Sequence, residues 1–309
     1  MLEEVQGQSE GLLYLRKVIH NDLRVPLLLI GPDGVGKRFS VLEAAKELVK
    51  DDENQVYQIN QGVHPDIKMV SPEAQGKDIK VDAIRGLLKD ANFKPSRAPF
   101  KILVVDGIDT ITPAAANALL KVLEEAPDSI RFILLAEDET KILPTILSRV
   151  APVRYRGLSE DFVSGVLLNH TEDATRALVC SRLAEGSVGR AVRYLGSGKL
   201  SLRDTMFDLL VAGQRKDRVS LFSAVDGVKD LPLGLIFFEH ILHDLLMLSH
   251  TPSRITNLDK TSELAQMKKA MGDEKVERLR TGLRTVQKRS RGPINQSFHV
   301  KTLLASAFS

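Results

Sequence analysis

A glycine-rich loop between a buried strand and a helix is the strongest constraint on how this chain folds. The apolar run VPLLLI at 25–30 leads into GPDGVGKR at 31–38 and then into the helical pattern FSVLEAAKELVK. Glycines there let successive backbone N–H groups face a phosphate at the start of a helix, and a lysine reaches its outer oxygens. This context predicts a phosphate-binding loop rather than a plain turn with a surface lysine. Its candidate residues are Gly31, Gly34, Gly36, Lys37 and Arg38.

Strands and helices alternate through the first half of the chain. Two further apolar runs, KILVVD at 101–106 and RFILLA at 131–136, each precede a helical pattern, the first of which has Thr112 as its N-cap and Pro113 at its first position. This alternation predicts an α/β domain with a parallel sheet. After about residue 155 the pattern is helical, with a GSG hinge at 196–198, and we expect three domains at 1–155, 156–204 and 205–309.

Composition limits the partners and the compartment. Lys and Arg total 43 against 40 Asp and Glu, so a net charge of +3 argues against binding nucleic acid through bulk charge. The one cysteine, Cys180, excludes an internal disulfide framework and a zinc site of several thiolates. No basic start followed by an apolar run and no apolar stretch of about 20 residues is present. We therefore expect a cytoplasmic protein with no membrane partner.

Two positions of the phosphate-loop site depart from the pattern of an active nucleotidase. The position after Lys37, where a Ser or Thr hydroxyl would hold magnesium, is Arg38, and a guanidinium cannot be a metal ligand. Asp106 ends its strand as expected, but Gly107 stands where a carboxylate would orient the attacking water. Asp109 lies three positions after Asp106 and could substitute for that carboxylate only if the backbone were unusual. These departures predict no metal site and absent or very weak hydrolysis.

Several stretches together carry a family resemblance. They are VQGQ at 5–8, GPDGVGKR, HPDI at 64–67, VVDGID at 104–109, TPAAANALLKVLEEAP at 112–127 and LPTILSR at 143–149. The chain resembles clamp-loader subunits of the AAA+ class, most closely those of the bacterial DNA polymerase III delta-prime type. The resemblance implies an AAA+ P-loop domain followed by a small helical lid and an all-α C-terminal collar.

The resemblance also implies a division of labour. Ser148 and Arg149 match the arginine finger that reaches the nucleotide of an adjacent subunit, although Val150 replaces the usual Cys. The alternative for Arg149 is an ordinary cation at the end of a helix. Two positions that sense nucleotide in active members are Ala136 with Glu137, and Gly189 beside Arg190. A subunit that assists a neighbour without hydrolysing ATP itself fits this pattern.

Partners and cofactors follow from the same resemblance. We expect ATPase subunits of the gamma or tau type, a delta-like subunit and the sliding clamp, with primer–template DNA met only indirectly. ATP or ADP at the degenerate loop is the one candidate cofactor. Bacterial members typically carry a four-cysteine zinc module before the HPD motif, but residues 44–67 contain no Cys, so we expect no zinc and a turn or packing role for His64. A divergent bacterial or a phage-encoded source would fit this shortening.

Two other functions stay open at this stage. One is an active AAA+ clamp-loader ATPase that tolerates Arg38 and Gly107, and the other is a regulatory AAA+ module that binds nucleotide without a clamp. The collar carries a basic run that is either a phosphate contact or, as we favour, a solvated helix face. Its members are Arg278, Arg280, Arg284, Lys288, Arg289 and Arg291.

Overall fold

A computed structural model describes residues 5, 7–74, 76–125, 127–196, 198–214, 218–289 and 296–308. The chain divides into two compact units. The first holds the residues up to Ser159 together with Gly186–Gly189, and the second holds Glu160–Glu185 and the residues from Arg190 onward. The expected boundaries at 155 and 204 stay predictions.

The first unit is built on a five-stranded parallel sheet in the order β2-β3-β4-β1-β5. Its strands are β1 (Leu27–Ile30), β2 (Ile67–Val70), β3 (Lys101–Asp106), β4 (Ile130–Ala136) and β5 (Ala151–Arg154). The predicted run 101–106 is β3 itself, the run 131–136 gains one residue, and the run 25–30 shortens to Leu27–Ile30. The α/β fold class with a parallel sheet is therefore confirmed, whereas β2 and β5 escaped prediction because neither is a continuous buried run.

The central strands bury both of their faces. Every residue of β1 and β4 is buried, and alternate residues enter two separate hydrophobic clusters. Leu27 and Leu29 pack in one cluster, while Leu28 and Ile30 pack in the other. A sheet covered by helices on both faces leaves only its strand ends open to a ligand or partner.

Helices follow the strands and then fill the second unit. They are α1 (Ser9–Ile19), α2 (Lys37–Leu48), α3 (Glu53–Asn60), α4 (Val81–Ala91), α5 (Pro113–Glu124), α6 (Pro144–Leu147), α7 (Glu160–Leu168), α8 (Ala174–Leu183), α9 (Val188–Gly196), α10 (Lys199–Gln214), α11 (Arg218–Asp226), α12 (Leu231–Met247), α13 (Thr261–Arg289) and α14 (Gln296–Ala307). As predicted, Thr112 caps α5 by accepting a hydrogen bond from Ala115 N, and Pro113 begins it.

The second unit contains a buried polar network beside its apolar core. Asp244 on α12 is fully buried and accepts hydrogen bonds from the backbone N–H groups of Thr256 and Asn257. Arg203 on α10 is buried as well and forms a two-pronged ion pair with Asp259, with N–O distances of 2.7 and 2.8 Å. Both interactions hold the loop between α12 and α13 in place. Moving the loop would leave a buried charge without its partner, which is strongly destabilising.

No helix in the described ranges is long and apolar enough to span a bilayer. The sole cysteine, Cys180, is buried on α8, where burial raises the pKa of its thiol to about 11. At such a pKa the thiol stays protonated near neutral pH, as expected of a packing residue.

The HPD motif forms a structural clasp at the start of β2. His64 is fully buried and shares hydrogen bonds with Gln55 and with the backbone N–H of Asp66. The Asp66 carboxylate accepts the backbone N–H groups of Ser96, Arg97 and Ala98 at 2.7–2.9 Å. Burial pushes the pKa of Asp66 upward, but these three hydrogen bonds together lower it below its ordinary value of 3.8. These contacts suit the packing role expected for His64.

This clasp predicts a pH-dependent contribution to stability. Asp66→Asn should lower the free energy of unfolding at pH 7 by about 2 kcal/mol, because the amide loses the charge and offers N–H where three donors need acceptors. The folded-state pKa is depressed, so the wild-type advantage is complete above the ordinary pKa of 3.8 and disappears as the pH falls below it. Urea unfolding of both proteins on either side of that pH measures this, with the exposed Asp82→Asn as control. An equal loss at both pH values would contradict the assignment.

Candidate functional site

The loop 31–36 joins the end of β1 to the start of α2 and takes the conformation that its glycines allow. Gly36 caps α2 at φ +101°, and Gly34 lies at φ +73°. Gly31 has no room for a side chain, since an added Cβ would stand 2.2 Å from the carbonyl oxygen of Tyr155. The predicted phosphate-loop residues therefore lie together at the carboxyl end of the sheet, where open α/β sheets bind ligands.

Carbonyl groups of this loop accept hydrogen bonds from residues outside the loop. The side chain of Gln8 donates to Val35 O at 3.2 Å, the hydroxyl of Ser187 donates to Asp33 O at 2.7 Å, and Gly189 N donates to Gly34 O at 3.0 Å. Carbonyls that point outward leave the intervening N–H groups on the inner side, which is the arrangement of an anion-binding nest. Residues from two separate segments, Gln8 and the stretch Gly186–Gly189, thus preserve the loop's shape.

The side chain of Lys37 folds back and contacts the loop. Its Nζ donates to Gly31 O at 2.6 Å and to Pro32 O at 2.8 Å, and the residue is only 8% exposed. Burial lowers the pKa of Lys37, although the carboxylates of Glu137 and Asp33 oppose the shift. A lysine held by two carbonyls must exchange them before it can bind a phosphate.

Arg38 faces the acidic residue that ends β3. Its Nη1 lies 3.8 Å from the Asp106 carboxylate, which is only partly exposed. Burial raises the pKa of Asp106, while the cations Arg38 and Lys37 oppose the increase. The guanidinium thus supplies positive charge beside the carboxylate that would otherwise help to hold a magnesium ion.

The turn after Asp106 places the Asp109 carboxylate against the chain that follows β4. Gly107 lies at φ +95°, a left-handed conformation that turns the chain into a 3₁₀ turn at Ile108–Thr110. The Asp109 carboxylate accepts the backbone N–H groups of Glu137 and Asp138 at 3.2 and 3.1 Å, which ties the end of β3 to the end of β4. Asp109 therefore acts as a structural cap in this arrangement.

Two carboxylates at this edge, those of Glu137 and Asp33, were not singled out from the sequence as charged members of the site. Glu137 follows β4, and both burial and the nearby Asp33 raise its pKa. Both carboxylates act electrostatically on Lys37. The sequence did mark 136–137 as a departure from active relatives, but only the fold shows that the change adds negative charge where phosphates would bind.

The segment Gly186–Gly189 covers the loop and gives a physical reason for glycine at position 189. A Cβ on Gly189 would lie 2.9 Å from the Cα of Gly34, and one on Gly34 would meet the Ser187 hydroxyl at 2.3 Å. Any larger residue at 189 would force the two backbones apart. Gly189, one of the two positions that the sequence resemblance links to nucleotide sensing, is thus in direct backbone contact with the loop.

Ser148 and Arg149 lie at the other end of the sheet. They immediately precede β5, whereas the loop follows the end of β1, and these two strands are parallel and paired from Leu27 with Ala151 to Ile30 with Arg154. A strand of four residues spans about 13 Å. Arg149 thus lies too far away to serve a ligand in its own chain's loop.

Arg149 is held by neighbouring groups and stays partly exposed. Its Nε donates to Glu124 Oε1 at 2.6 Å, and its Nη1 donates to Thr145 O at 2.8 Å and to Ser148 Oγ at 3.0 Å. The side chain retains 34% exposure. The predicted finger residues are therefore adjacent, ordered and accessible.

Comparison with known proteins gives these sites a family context. Residues 8–159 match the family model described as DNA polymerase III, delta subunit. The chain is 29% identical over 214 residues to replication factor C subunit 3 of Saccharomyces cerevisiae, an alignment that covers 65% of this chain and 58% of that protein. It is 27% identical over 220 residues to the DNA polymerase III subunit delta' of Escherichia coli, covering 71% and 66%. The chain thus spans about 58% of the replication factor C relative.

One solved structure aligns along nearly the whole chain. The DNA polymerase III gamma subunit-related protein from Thermotoga maritima aligns with a TM-score of 0.48 at 18% identity, covering 96% of this chain and 98% of that one.

The contact between Gly34 and Gly189 predicts a specific loss of stability. Gly189→Ala should lower the free energy of unfolding by about 1–3 kcal/mol, because the methyl group must displace backbone atoms that cannot rotate away. Gly165→Ala is the matched control, since nothing lies within 4 Å of its added Cβ and alanine favours the helix α7. Denaturant unfolding of the two variants measures the difference. Equal stability of the two would show that the contact tolerates a side chain.

Proposed function

Because residues 8–159 match the family model described as DNA polymerase III, delta subunit, we propose that this protein is a structural subunit of a sliding-clamp loader in DNA replication. In this role it hydrolyses no ATP itself. It donates Arg149 to the nucleotide of a neighbouring ATPase subunit and helps to place the clamp on primed DNA. A partly degenerate loop at one end of the sheet, with an intact and accessible arginine at the other, carries the proposal.

The chemistry of the two ends fits this division. Charge builds on the transferring phosphoryl group in the transition state, and an arginine supplied from outside the active site stabilises it. Arg149 keeps an ordered, partly exposed guanidinium for that purpose. At the chain's own loop, Arg38 replaces the hydroxyl that holds magnesium and Asp109 is engaged by two backbone N–H groups.

The partners proposed are other clamp-loader subunits, both ATPase subunits of the gamma or tau type and a delta-like subunit, and the sliding clamp. Primer–template DNA is met indirectly. In the collar's basic run, Arg278, Arg280 and Arg284 each lie within 4.0 Å of a glutamate, which favours a solvated helix face over a dedicated phosphate contact. The side chains of Lys288, Arg289 and Arg291 lie outside the described residues.

The finger assignment predicts a large effect only in the assembled complex. Arg149→Ala should leave the subunit folded and able to assemble, but lower ATP hydrolysis at the neighbouring site by up to about 10³-fold. Arg154→Ala is the matched control, since Arg154 is also an exposed arginine paired with a glutamate but lies at the far end of β5. Steady-state ATPase assays of the reconstituted complex test this. An unchanged rate with Arg149→Ala would refute the finger.

The degenerate loop predicts that the isolated subunit is inactive. Incubated alone with ATP and magnesium, it should show no turnover above that of Lys37→Ala. Robust turnover that Lys37→Ala abolishes would instead identify an active clamp-loader ATPase, the second candidate. A third outcome, no stable complex with clamp-loader ATPase subunits, would indicate a regulatory module.

A further inference from the structure

An ion pair joins two of the sequence stretches that carry the family resemblance. Glu124 ends α5 in the stretch ALLKVLEEAP, and Arg149 follows α6 in the stretch LPTILSR, 25 residues later. Oε1 of Glu124 accepts from Arg149 Nε at 2.6 Å and also contacts Nη2. The fold thus gives the first glutamate of the Glu-Glu pair a defined partner, for which the sequence pattern offered no role.

The guanidinium of Arg149 is fixed on two sides. Glu124 holds its Nε and Nη2 edge, while Thr145 O and Ser148 Oγ hold Nη1. These contacts use four of the five N–H groups of an arginine side chain and leave one on Nη2 for an outside acceptor. The plane and direction of the guanidinium are therefore set before any partner arrives.

We propose that Glu124 is a positioning residue for the Arg149 finger, an inference that rests on the proposed function. An unrestrained arginine samples many rotamers, and the finger must enter the neighbouring site in one geometry. Holding the side chain through Nε removes most of that freedom while the guanidinium stays charged and accessible. Glu124 acts through Arg149 and does not itself contact the nucleotide.

The solvent exposure of the Glu124–Arg149 pair favours a positioning role for Glu124 over a role in stabilising the fold. The two side chains are 34% and 47% exposed, and exposed ion pairs contribute little to folding. Glu125, the next residue, is also exposed, and its role as the C-cap of α5 is a backbone one. It provides a matched control of the same charge on the same helix end.

The experiment compares Glu124→Ala, Glu124→Gln and Glu125→Ala in the reconstituted clamp-loader complex. Glu124→Ala should lower kcat of the neighbouring site on the order of 10-fold, because misplaced groups stabilise the transition state poorly, while KM for ATP stays within about twofold. Glu124→Gln should fall in between, since its carbonyl oxygen still accepts from Nε. Glu125→Ala should match the wild type.

A double variant separates positioning from a structural role. In the Arg149→Ala background, Glu124→Ala should cause no further loss, since its effect passes through the arginine. A further loss there, or a wild-type rate for Glu124→Ala alone, would overturn the proposal. Size-exclusion chromatography verifies assembly, and the isosteric Glu124→Gln keeps the test valid if the alanine variant does not assemble. If Arg149→Ala itself leaves the rate unchanged, the proposed function fails instead.

Discussion

Burial of both sheet faces is the constraint on which the rest of this structure depends. Since β1 and β4 are buried along their whole length and helices cover the sheet, polar chemistry is confined to the strand ends. Because the strands are parallel, one edge of the sheet holds their carboxyl ends and the opposite edge holds their amino ends. The phosphate-loop region lies at the carboxyl end and Arg149 at the amino end, so the two candidate sites face opposite edges of the sheet.

The two ends also differ in what holds them. At the carboxyl end, hydrogen bonds from Gln8, Ser187 and Gly189 keep the loop's shape, while Lys37 is engaged by carbonyl oxygens. At the amino end, Glu124 and the turn at Thr145 orient a cation that remains accessible. The first arrangement suits a loop with a structural role, and the second suits an arginine that is presented to another subunit. This contrast supports the proposal of a subunit that assists catalysis in a neighbour.

Sequence patterns predicted much of this because their signals are local. Buried runs and helix caps are short-range features, so β3, the start of α5 and the glycine loop were recognisable. The edge strands β2 and β5 carry partly exposed residues and gave no such signal. Asp109 was a possible replacement for the missing carboxylate in the sequence. Its engagement by two N–H groups just beyond the end of β4 depends on how neighbouring strands meet.

The sequence by itself determined the fold class, the glycine loop, the substitutions Arg38 and Gly107 and the presence of Ser148 with Arg149. Each of these follows from residue type and spacing along one stretch of chain. Only the tertiary structure decided that Gly189 packs on Gly34, that Glu137 adds negative charge near Lys37, and that Glu124 holds Arg149. Those contacts join residues distant in the chain, and their partners are set by strand order and helix packing.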